Sequence, residues 1–190
     1  KETKGKQIMK TYHLLLAASL LPSLAVAGGS TSSLASFGQL QTQTETLKIS
    51  AQQQAALNRN YTNLDGHNVK LLSKSKPYSY VVVFEAFQSW EGDGPEEQIK
   101  QLKTLNEHVH ISMVQPNMNI NPSVLAGWRK DFSLQDTNVL LDPDNKLVSA
   151  LGAWQTPTHF LFDYKGNLLG KTTGQDNKLV ELLKLRLQEK

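Results

Sequence analysis

The stretch Gly152 to Gly170, GAWQTPTHFLFDYKGNLLG, constrains the chain more than any other. It reads as a loop ending in Pro157, an apolar strand from His159 to Phe162, a turn at Asp163–Asn167 and a return strand. A short turn containing glycine joins strands that run antiparallel. Earlier in the chain, Tyr80-Val-Val-Val-Phe84 is a continuous β-branched and aromatic run, the pattern of a central strand buried on both faces. Strands of that kind are joined by helices and lie parallel. The two signals together require a mixed sheet.

The intervening segments fit this plan. Ser50 to Asn60 reads as a short helix capped by Ser50. Leu64 to Leu72 is a hairpin signal with its turn at Asp65-Gly66. Glu85 to Gly94 reads as a polar, flexible loop. Pro95 opens a helix whose first turn carries Glu96 and Glu97, favourable at the positive end of the helix dipole. Ile99, Leu102, Leu105 and Val109 give that helix its apolar side. A strand is predicted at His110–Val114, a helix from Asn121 to Phe132, a strand at Thr137–Leu141 and a brief helix at Lys146–Leu151. Asn177 to Gln188 closes the chain as a helix with Leu179, Leu182, Leu183 and Leu187 on one side. The expected fold is α/β, with a central mixed β-sheet flanked by helices and an N-terminal β-hairpin.

Residues 1–27 have the pattern of a secretory signal: a basic start, the apolar run Leu14–Leu21, and Ala25-Val26-Ala27 as a small-x-small cleavage site. The apolar run is shorter than the about 18 residues of a membrane span, so stable membrane insertion is not expected. Residues 28–60 read as a polar, mobile leader ending in the short helix, and 61–190 as the folded domain. The net charge of +3 belongs to the first segment, because Lys1, Lys4, Lys6 and Lys10 outweigh Glu2 there and the remainder is neutral. The basic isoelectric point therefore does not argue for nucleic acid. No glycine-rich phosphate loop and no basic–aromatic patch is present, and neither a cofactor nor a nucleic-acid partner is expected. The chain contains no cysteine.

Several motifs in their order resemble the TlpA-like branch of the thioredoxin superfamily, over about residues 62–190. Leu64-Asp65-Gly66 and Leu71 are similar to that branch's hairpin, and Val81-Val-Val-Phe-Glu-Ala86 to its central strand. Val139-Leu-Leu-Asp142, Leu151-Gly152, Thr156-Pro157-Thr158 and Phe160-Leu-Phe-Asp163 are similar to its later strands. The resemblance implies a thioredoxin-like fold, an exported and periplasmic setting, and a cis peptide bond at Pro157 facing the reactive cysteines. Those cysteines are missing. One alignment puts Glu91 and Gly94 in their places, and another puts Ser89 and Gly92 there. An inward acid found in some relatives falls on Val83. Dithiol exchange, disulfide isomerisation and thiol peroxidase chemistry all require a thiolate, so they are excluded for a chain without cysteine.

What the resemblance leaves is a groove between the proline loop and the loop at 87–95, where an extended peptide could pair with the main chain. The expected site is therefore partner-binding, formed by Trp90, Glu91, Trp154, Thr156 and Pro157, with a protein or peptide as ligand and no catalytic or metal-binding residue. The alternative is a redox-pathway protein of unusual mechanism with Glu91 or Ser89 in the cysteine position. The acids Glu91, Asp93, Glu96 and Glu97 need no metal to explain them at a helix start. His159 is expected to be a half-buried strand residue. His108 and His110, with Met113 and Met118 nearby, would share one side of a strand.

Overall fold

The computed structural model describes residues 47–117 and 120–189. The signal at 1–27, the leader up to residue 46, and Met118 lie outside the described residues. The described chain begins with α1 (Ala51–Asn58), β1 (Asn60–Thr62), β2 (Asn68–Lys70), β3 (Tyr78–Val83), α2 (Ala86–Glu91) and α3 (Glu96–Lys103). It continues with β4 (Val109–Pro116), α4 (Pro122–Asp131), β5 (Asn138–Asp142), α5 (Lys146–Leu151), β6 (Thr158–Asp163), β7 (Leu168–Thr173) and α6 (Lys178–Gln188).

All six residues of β3 are buried, as its unbroken apolar run requires. It is the central strand of a five-stranded sheet of order β5-β4-β3-β6-β7. The β3–β4 and β4–β5 pairs are parallel, whereas β3–β6 and β6–β7 are antiparallel. The sheet is mixed, as predicted. Alternation along β3 sends Tyr80 and Val82 into one core, where Trp128 lies 4.6 Å from Phe84 between ring centroids. Val81 and Val83 enter the other core with Phe160, Phe162 and Leu57. Helices α3, α4 and α6 supply the first core, and α1 and α5 the second.

The N-terminal elements belong to this body. Ser50 and Gln53 form a reciprocal capping box, with the Gln53 N–H donating to Ser50 Oγ and the Ser50 N–H to Gln53 Oε1. The cap starts α1 so that Ala56 and Leu57 are buried. Strands β1 and β2 form a separate two-stranded antiparallel sheet, the predicted hairpin. The Leu64 N–H after β1 donates to Val139 O at 2.9 Å, so the hairpin covers part of edge strand β5.

Two readings change. Helix α3 ends at Lys103, so Val109 lies not on its apolar side but at the start of β4, where it is buried in the first core. The segment read as a flexible loop at 85–94 contains helix α2, which stops at Gly92 with φ of 90°. This helix is short, and its buried residues are only Ala86 and Ser89. A stripe of one small and one polar residue leaves no hydrophobic periodicity to read. Its start is fixed from the sheet: the buried Gln115 of β4 accepts a hydrogen bond from the Ala86 N–H at 2.9 Å.

Candidate functional site

The β3–β6 register pairs Val83 with Thr158, which brings the start of α2 beside the loop that precedes β6. The Thr156–Pro157 peptide bond is cis. Pro157 is buried, and its carbonyl accepts a hydrogen bond from the Gly174 N–H at 2.8 Å, which ties the loop to the end of β7. The Thr158 hydroxyl donates to Gln155 O and closes the loop on itself. Thr156 itself is half-buried. Its main-chain N–H and C=O make no hydrogen bond among the described residues.

The side chain facing Thr156 is Gln88, whose Oε1 accepts from the Thr156 hydroxyl at 2.8 Å. With Glu85, Pro116, Val148, Ala153, Trp154 and Gln155 these residues line a cleft of about 310 Å³. Trp154 stands at its rim, 63% exposed. Neither position aligned with the first cysteine faces the proline loop. Ser89 lies one residue beyond Gln88 and turns inward, 4% exposed, against Gly94 and Glu96. Glu91 is exposed at the last turn of α2. No base is hydrogen-bonded to either of them among the described residues. Gln88 was not legible as a site residue, because an amide in a polar run carries no chemical signal of its own. Its partner Thr156 becomes its neighbour only when β3 and β6 pair.

Of the five expected binding residues, the structure joins Trp154 and Thr156 in this cleft, with Pro157 beneath as the buried support. Trp90 turns elsewhere. Its Nε1–H donates to Asp131 of α4 at 3.2 Å, and its ring lies 6.3 Å from Phe132 and 5.9 Å from Phe87. With Phe87 and Trp90 nearly half exposed, this is a second aromatic surface, on α2.

The histidines are accounted for by structure. His159 is fully buried, not half-buried: the strand it occupies is covered on both faces. Its Nε2–H donates to Gly174 O at 2.9 Å, which leaves Nδ1 bare to accept from the Tyr80 hydroxyl at 2.9 Å. Burial pushes its pKa down to about 4, so the ring is neutral near pH 7. His110 is bonded through Nε2 to Lys70 O, and burial lowers its pKa as well. His108 precedes β4 and is exposed, so the two do not share a strand face. Among the described residues, no group of three or more His, Asp or Glu is placed to hold a metal.

No protein-family model matches the chain, and no curated protein matches it. Solved structures do. The exposed lipoprotein thioredoxin Etrx1 of Streptococcus pneumoniae superposes with a TM-score of 0.56 at 19% identity, over 68% of this chain and 98% of that one. StoA of Bacillus subtilis gives 0.52 at 16% identity, over 62% and 88%. A secreted Mycobacterium tuberculosis disulfide oxidoreductase, homologous to Escherichia coli DsbE, gives 0.52 at 13% identity, over 66% and 93%. The chain therefore has the thioredoxin-like fold. It is a cysteine-less form of it, in which Gln88 faces the proline loop.

Proposed function

We propose that this protein is an exported, non-catalytic thioredoxin-like domain that binds an extended segment of a protein partner in the proline-loop cleft. The observation that carries this reading is the unpaired main chain of Thr156. A rigidly anchored N–H and C=O next to an open cleft offer the hydrogen bonds that a strand-like peptide would complete. Trp154 supplies an exposed aromatic face for a side chain of that peptide. Gln88, Glu85 and Gln155 supply polar contacts without a nucleophile. A longer partner extends over α2 and meets Trp90 and Glu91. Export is supported by the pattern at residues 1–27 and by the secreted and surface-exposed proteins that share the fold.

The test is selection of random peptides on the purified domain, with affinity measured by fluorescence polarisation. A selected peptide is then resynthesised with single N-methyl groups along its backbone. Main-chain pairing predicts that one or two N-methyl positions abolish binding and that Trp154→Ala weakens it at least 10-fold. Insulin reduction should remain at the uncatalysed rate. A peptide that tolerates N-methylation everywhere, or binds Trp154→Ala normally, would refute the reading.

A further inference from the structure

A second, wider cavity lies at the other end of the sheet from Pro157. Register places Asp163 opposite Tyr78 at one end of β3 and Thr158 opposite Val83 at the other, so the β6–β7 turn is remote from the proline loop. Here four separate segments meet: the end of α1, the stretch from β2 to Ser75, His110 of β4, and the turn Tyr164–Gly166. They enclose a pocket of about 850 Å³, within the range of small-molecule sites.

Its chemistry is sharply divided. The half-buried Val69 and Leu72 form an apolar wall, backed by the buried Leu57 of the second core. Lys70, Lys74 and Lys165 line the pocket as well, and no Asp or Glu does. None of the three is in an ion pair among the described residues. Lys70 Nζ is held by Asn58 O at 2.6 Å, and Lys165 Nζ stands 5.5 Å from the centroid of the Tyr164 ring. Both contacts leave the charge uncompensated. The nearest acid in sequence, Asp163, accepts bonds from the N–H groups of Lys165 and Asn167 and from the Asn167 amide, which occupy it within its own turn. The exposed Tyr164 adds an aromatic face.

We infer that this pocket binds a soluble amphipathic organic anion, a single-chain or aromatic acid whose apolar body lies on Val69, Leu72 and the Tyr164 ring and whose anionic head meets Lys74 and Lys165. Apolar contact alone would not select charge, and exposed lysines alone would not hold a ligand against solvent. The two together select an acid with a hydrophobic body. This site is independent of the proline-loop cleft, and either can fail without the other.

The experiment titrates the full domain with 8-anilinonaphthalene-1-sulfonate, followed by fluorescence, and then displaces the dye with decanoate below its micellar range. Saturable binding at one site is expected, with displacement by decanoate but not by equal concentrations of inorganic phosphate or decanol. The double variant Lys74→Glu/Lys165→Glu should weaken dye binding at least 10-fold with its thermal midpoint unchanged, since both lysines are exposed. Trp154→Ala should bind the dye as the parent does. Non-saturable binding, equal binding by the charge-reversed variant, or displacement by phosphate as effective as by decanoate would each overturn the inference.

Discussion

His159 should make the domain acid-labile in a defined pH window. The imidazole is fully buried, with Tyr80 and Gly174 bonded to its two nitrogens in the neutral form. Its pKa falls from the ordinary 6.5 to about 4, chiefly through burial; the hydrogen bond to Gly174 O and, after it, the nearby Asp176 carboxylate offset only part of that. Between those values the unfolded chain binds a proton that the native state refuses. Stability therefore rises with pH across this window and is lost as pH falls through it. At about 1.4 kcal/mol per pH unit, the complete loss below pH 4 is about 3 kcal/mol, and about 2 kcal/mol of it is gone by pH 5. The assay is urea unfolding at pH 7.5 and 5.0, at constant ionic strength, for the parent and His159→Gln. The variant starts less stable, because Tyr80 or Gly174 loses an ideal partner. The parent should nevertheless lose about 2 kcal/mol more than the variant over this pH step. Other titrating groups, including the buried Asp142, act in both proteins and cancel. Equal losses in the two proteins, or a His159 ring that titrates above pH 6 by NMR, would refute the argument.

Further outcomes follow from single contacts. Leu57→Ala removes a side chain that is 1% exposed and should cost about 2–4 kcal/mol in chemical denaturation, with α1 becoming protease-sensitive. Gln115→Ala leaves the buried Ala86 N–H without its acceptor; a loss of about 1–3 kcal/mol is expected, with faster hydrogen exchange concentrated in α2. A Cβ at Gly170 would stand 2.5 Å from Leu179 Cδ2, so Gly170→Ala should displace α6 and cost about 1–3 kcal/mol by thermal unfolding. An unchanged melting profile for Gly170→Ala would mean that Leu179 has another rotamer available.

The legible parts of this protein are those whose physics is local. The run Tyr80–Phe84 is unbroken because its strand is covered on both sides, and that is visible without knowing what covers it. The turn at Asp163–Asn167 is legible for a similar reason. Asp163 bonds to N–H groups two and four residues ahead, and Gly166 takes a positive φ of 84°, both within one short stretch. Ser50 and Gln53 cap α1 across three residues. By contrast α2 was hidden, since its anchor is Gln115, a residue of another strand.

The proposed site divides along the same line. Pro157, Thr156 and Trp154 could be picked out because the motif around them resembles that of a known family. The absence of cysteine also closed thiol chemistry at once, because no arrangement in space can supply a missing sulfur. Which residue faces Thr156 is a different kind of question. Gln88 and Thr156 lie far apart in sequence, and only the pairing of β3 with β6 sets them at hydrogen-bonding distance. The same holds for His159, whose proton affinity depends on Tyr80 and Gly174, and for the lysines gathered around Leu57 and Leu72. Local patterns reveal how a segment packs and turns, since those forces act over a few residues. Charge, proton affinity and access at a site are sums over atoms that the folded sheet brings together, and they exist only once it has formed.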